Sequence, residues 1–68
     1  MYQDLDMSVT NTFVHNKNVV TIELGLDMRG KSIYRVAWYN GRRWNHTYYR
    51  RQRDAWVTYK MIVEMITD

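Results

Sequence analysis

Eight of the ten basic residues of this 68-residue chain lie between Arg29 and Arg53: Arg29, Lys31, Arg35, Arg42, Arg43, Arg50, Arg51 and Arg53. No acidic residue interrupts them, and six of the ten aromatics (Tyr34, Trp38, Tyr39, Trp44, Tyr48 and Tyr49) are interleaved with them. Cations set among flat rings suit a surface that grips phosphate and packs on bases. Seven of the eight cations are arginine, whose planar fork of donors fits phosphate oxygens and guanine edges.

The other reactive side chains point to no catalysis. No nucleophile–base motif, glycine-rich phosphate loop or recognisable carboxylate pair is present, so the chain is not expected to be an enzyme. His46 beside Tyr48 and Arg35 could be read as an acid–base group, but a single histidine on a strand is more often an ordinary polar residue. His15 and His46 lack ligand-like spacing, Asp4 and Asp6 read as a solvated arm, and there is no cysteine; neither metal nor cofactor is expected.

Charge divides the chain into three. Residues 1–28 hold one lysine against Asp4, Asp6, Glu23 and Asp27. The middle block is wholly basic, and residues 54–68 hold Lys60 against Asp54, Glu64 and Asp68. The overall charge is only +3, yet a partner meets the local field of the block. The bland alternative is a solvated arginine-rich face kept for solubility. No apolar run reaches the roughly 20 residues of a membrane span, and the N-terminus lacks a signal peptide's basic start and apolar core. A cytoplasmic protein is expected, located in the host cytoplasm if phage-encoded, with no membrane partner.

One domain, residues 1–68, is expected, with residues 1–7 as a flexible acidic arm. Ser8–Val14 is a plausible strand, followed by Asn-rich turn chemistry at His15–Asn18. Val19–Leu26 alternates, with Val20, Ile22, Leu24 and Leu26 on one face. A turn over Asp27–Lys31 leads to a strand over Ser32–Tyr39. Asn40-Gly41 is a hairpin signal of type I′, with Arg42–Tyr49 as the returning strand. That two-residue turn pairs Tyr39 with Arg42, Ala37 with Trp44, Arg35 with His46, and Ile33 with Tyr48. From Ala55 the period changes: Ala55, Tyr59, Ile62, Val63 and Ile66 form one face of a helix, with Asp54 in its first turn. The fold class is therefore α+β, an antiparallel sheet of three or four strands followed by one C-terminal helix on one face. Val20, Ile22, Leu24, Val36, Tyr59, Ile62 and Ile66 are expected to share the core.

The helix could cover either face of the second hairpin. Covering Ile33, Ala37, Trp44 and Tyr48 would bury Arg35 and His46, and an unpaired buried arginine is costly. The helix is therefore expected on Tyr34, Val36, Trp38 and Tyr49. The opposite face then presents Arg35, Tyr39, Arg42, Trp44, His46 and Tyr48.

The segment Tyr34-Arg35-Val36-Ala37-Trp38-Tyr39-Asn40-Gly41-Arg42-Arg43, then Tyr48-Tyr49, then Asp54-Ala55-Trp56, resembles the arm-type DNA-binding domain of phage and transposon tyrosine integrases over about 35 residues. That family sets a basic strand, a glycine turn and a second basic strand before a helix, and its exposed sheet face enters the DNA major groove. The resemblance implies duplex-DNA binding with Arg35, Arg42, Trp44, His46 and Tyr48 on the contacting face. Arg50-Arg51-Gln52-Arg53 stands where the family has a helix-capping threonine. The expected function is thus non-catalytic nucleic-acid binding, with duplex DNA as the partner and Arg35, Tyr39, Arg42, Arg43, Trp44, His46, Tyr48, Arg50, Arg51 and Arg53 as contacts, the last three forming a phosphate clamp beside a helix N-terminus.

Tyrosine, tryptophan and arginine are also the residues enriched at protein–protein hot spots. The same surface therefore supports a rival expectation: a small phage-type protein that binds and inhibits a host or defence protein, of the anti-CRISPR or anti-restriction class. A homodimer through the aromatic face is a third.

Overall fold

The computed structural model describes residues 7–68; the acidic-arm expectation falls, except for Met7, outside the described residues. Four strands precede one helix: β1 (Ser8–His15), β2 (Asn18–Leu26), β3 (Ser32–Tyr39), β4 (Trp44–Tyr49) and α1 (Gln52–Thr67). The strands form one antiparallel sheet in the order β1-β2-β3-β4. The architecture is α+β, with the helix on one face.

Each turn follows from its local chemistry. Asn16 adopts a φ of 56°, the left-handed conformation that asparagine tolerates, and closes a two-residue turn between the paired residues His15 and Asn18. Between β2 and β3, the Asp27 side chain accepts hydrogen bonds from the backbone N–H groups of Arg29 (2.8 Å) and Lys31 (2.9 Å). Gly30 supplies the positive φ of 78° in that turn.

The third turn corrects the expected register. Tyr39 pairs with Trp44, Ala37 with His46 and Arg35 with Tyr48, so β3 and β4 are offset by two residues from the type I′ prediction. A type I′ turn needs positive φ at both central residues, and of the pair only Gly41 has it. The Asn40 side chain instead accepts the backbone N–H groups of Arg42 and Arg43, at 3.0 and 3.2 Å. This Asx arrangement draws both arginines into a four-residue loop, and β4 begins at Trp44 rather than at Arg42. Because the offset is even, the side chains of Trp44–Tyr49 keep their expected faces, whereas Arg42, expected on the exposed sheet face, lies in the loop.

Val20, Ile22, Val36, Ala55 and Tyr59 form the buried cluster beneath α1. Phe13, Tyr34, Trp38, Tyr49, Ile62 and Ile66 pack against it. Polar groups on this face are paired: Asn11 donates to the Tyr59 hydroxyl, Trp38 Nε1 donates to Asn18 Oδ1, and the Tyr49 and Thr58 hydroxyls share a hydrogen bond of 2.7 Å. Leu24 departs from the expected core. It remains 39% exposed, because α1 crosses β2 over Val20 and Ile22 and leaves the Leu24–Leu26 end uncovered.

Candidate nucleic-acid interface

The face opposite α1 is built of three rows that run across the strands. Register places Val14, Val19, Tyr39 and Trp44 in the first row, Thr12, Thr21, Ala37 and His46 in the second, and Val9, Glu23, Arg35 and Tyr48 in the third. Ala37 has almost no side chain, so the middle of the face dips. Thr21, Glu23, Arg35 and Ala37 floor a trough that Met7 and Val9 wall on one side and Trp44 and His46 on the other.

Arg35 lies at the centre of this face, as expected, but it is not free. Its guanidinium is ion-paired with Glu23, its direct cross-strand partner, and Nε donates to Glu23 Oε1 at 2.9 Å. The other carboxylate oxygen of Glu23 accepts from the Thr21 hydroxyl at 2.7 Å. Burial works to lower the Arg35 pKa, but the hydrogen bonds to Glu23 and to Tyr48 outweigh it and hold the group above its ordinary value. The pair is thus a neutral, hydrogen-bonded unit set into the sheet. It accounts for how an arginine can lie in the floor of a face without the penalty of an unpaired charge.

Arg50 is likewise engaged. It pairs with Asp27, whose side chain is almost wholly buried. Backbone N–H donation from Lys31, then the hydrogen bond from Arg50, lower the Asp27 carboxyl to a pKa of about 2 against the opposing effect of burial.

The remaining expected contacts divide between the two ends of the sheet. Arg42 and Arg43 sit in the β3–β4 loop, next to the Asn16-Lys17 turn, so Lys17 joins them at one end. Arg51 and Arg53 flank the start of α1 at the other end, where Arg29 and Lys31 sit in the β2–β3 turn. Among the described residues none of these seven cations forms an ion pair. An eight-residue strand, at about 3.3 Å per residue, separates the two groups by roughly 25 Å. Arg51 is the N-cap of α1 and offers no side-chain cap, so the first N–H groups of the helix are left beside two arginines. Tyr49, Arg51, Arg53, Asp54, Val57 and Thr58 line an open groove there.

Between the ends lies a ledge of rings. The Tyr39 and Trp44 centroids are 5.4 Å apart with planes inclined at 41°, and those of Trp44 and His46 are 6.3 Å apart with planes only 4° from parallel. Trp44 is 47% exposed and His46 is exposed, whereas Tyr39 and Tyr48 are half-buried.

Sequence reasoning brought Arg35, Tyr39, Trp44, His46 and Tyr48 to one face, and the structure places them there. It missed Glu23 and Asp27, the acids that engage Arg35 and Arg50, and it missed Lys17. Lys17 could have been found, since an up-and-down sheet puts its first and third turns at the same end.

Among the described residues no cluster of three or more histidine, cysteine or acidic side chains could hold a metal ion, and no helix is long and apolar enough to cross a membrane. Comparison with protein-family models, curated proteins and solved structures finds no match.

Proposed function

We propose that this protein is a non-catalytic nucleic-acid-binding module that grips phosphates with the cations at the ends of its sheet. One observation carries the reading: the acids of the sheet are used internally, while the cations around it are not. Glu23 is taken by Arg35 and Asp27 by Arg50. The other described acids, Asp54, Glu64 and Asp68, belong to α1 and its C-cap. Arg42, Arg43 and Lys17 at one end, and Arg29, Lys31, Arg51 and Arg53 at the other, are exposed and form no ion pair among the described residues, although Asp54 lines the groove that holds Arg51 and Arg53. Such a field concentrates polyanions and steers them onto the surface.

The test is binding of a fluorescent oligonucleotide at low salt to wild type and to two double variants, Arg42→Ala/Arg43→Ala and Arg51→Ala/Arg53→Ala. All four side chains are exposed, so both variants should keep the wild-type circular dichroism. Each is expected to weaken binding by at least tenfold. A wild-type protein that retains neither single-stranded nor duplex oligonucleotide would overturn the reading.

A protein partner is the second reading, and the β4 edge favours it. Trp44, Asn45, His46 and Thr47 are all exposed on a strand that, among the described residues, has no neighbour on its outer side, the geometry that accepts an added strand.

A further inference from the structure

Phosphate gripping leaves open which form of nucleic acid the face receives, and the state of Arg35 bears on that. Duplex bases are read through groove edges by free donors and acceptors, most often an arginine fork on guanine. On this face Arg35 is bonded to Glu23, and both Glu23 oxygens already accept hydrogen bonds. What the face offers outward is ring surface. Trp44 is about half exposed, lies nearly parallel to His46 and has the Tyr39 ring centroid 5.4 Å away, so its indole packs against two neighbouring rings while part of its surface stays open. Arg42 and Arg43 directly precede it, and Lys17 lies in the adjoining turn, with its Cβ 3.6 Å from where a Cβ on Gly41 would stand. A fixed, exposed ring next to three unpaired cations fits a nucleotide whose base is free to stack and whose phosphate is within reach. Bases in a duplex are already stacked on one another.

We infer that the ring ledge at Trp44 is a stacking site for an unpaired base, and that the preferred ligand is single-stranded nucleic acid with its phosphates on Arg42, Arg43 and Lys17. This rests on the nucleic-acid reading above and names its ligand class.

The experiment compares a single-stranded oligonucleotide with the duplex of the same sequence, using wild type, Trp44→Ala and Trp44→Phe. Wild type should bind the single strand at least tenfold more tightly than the duplex. Trp44→Ala should weaken single-strand binding by about 5- to 150-fold, the usual range for loss of one base–aromatic stack. Trp44→Phe, which keeps a ring, should restore most of it, and duplex binding should change little in either variant. Trp44 is exposed, so an unchanged thermal midpoint is expected in both. Equal affinity for duplex and single strand, or a folded Trp44→Ala protein with undiminished single-strand binding, would overturn the stacking site while leaving phosphate binding intact. Failure of wild type to bind either form would remove both proposals together.

Discussion

Asp27 is the residue on which the β2–β3 turn closes. Its carboxylate accepts two backbone N–H groups and pairs with Arg50 at the end of β4, so it ties a turn to a strand that is not its neighbour in sequence. These donors favour the charged form and hold its pKa at about 2 instead of the usual 3.8. The unfolded chain therefore takes up this proton first as the solution is acidified. The contribution of Asp27 to stability is fully present above pH 3.8 and is lost as pH falls towards 2. Asp27→Asn should lower the urea midpoint at neutral pH and flatten the fall in stability across that acid window. Urea titrations of both proteins from pH 7 to pH 2 measure this, and an identical acid limb in the variant would show that Asp27 is not so held. None of this was legible in the sequence, where Asp27 is one acid in a turn segment and Arg50 one cation in a run. The pairing depends on the five-residue turn bringing position 27 under the end of β4. Glu23 and Arg35 were hidden in the same way: each was placed on the non-helix face of its strand, but only the β2–β3 register makes them opposite neighbours.

Strand existence was the easier inference. The alternation in Val19–Leu26 and Ser32–Tyr39 and the 3.6-residue period after Ala55 are direct consequences of one-sided burial, and each marks the element that forms. Turn geometry was harder, because Asn40-Gly41 can form either a tight type I′ turn or an Asx-capped loop, and the choice lies in the Asn40 side chain. The helix start shows the opposite case, in which a sequence departure has a visible structural consequence. An arginine stands at the N-cap, where serine, threonine or aspartate would satisfy a free N–H. Replacing Arg51 with Ser should stabilise the protein by about 0.5–2 kcal/mol. At about 4–8 °C per kcal/mol for a domain of this size, thermal unfolding should show the gain clearly. The same substitution should weaken oligonucleotide binding if Arg51 makes the proposed phosphate contact. A variant that is no more stable would mean that water or the chain already satisfies the helix end; one that binds more tightly would exclude Arg51 from the interface.

At the scale of the whole molecule, the two faces of the sheet separate the candidate site from the core. One face buries the cluster under α1, while the other carries the Glu23–Arg35 pair and the ring ledge. The cations that form one block in sequence become two groups at opposite ends of the sheet, because each turn of an up-and-down topology reverses the chain. The most direct measurement is therefore the dependence of oligonucleotide affinity on salt. Each phosphate neutralised on a single strand contributes about −0.7 to the log–log slope. Engagement of Arg42, Arg43, Arg51 and Arg53 together predicts a slope of roughly −3, reduced by about half when either pair is replaced by alanine. A slope near zero, or one that neither double variant changes, would contradict the assignment of these arginines to phosphate.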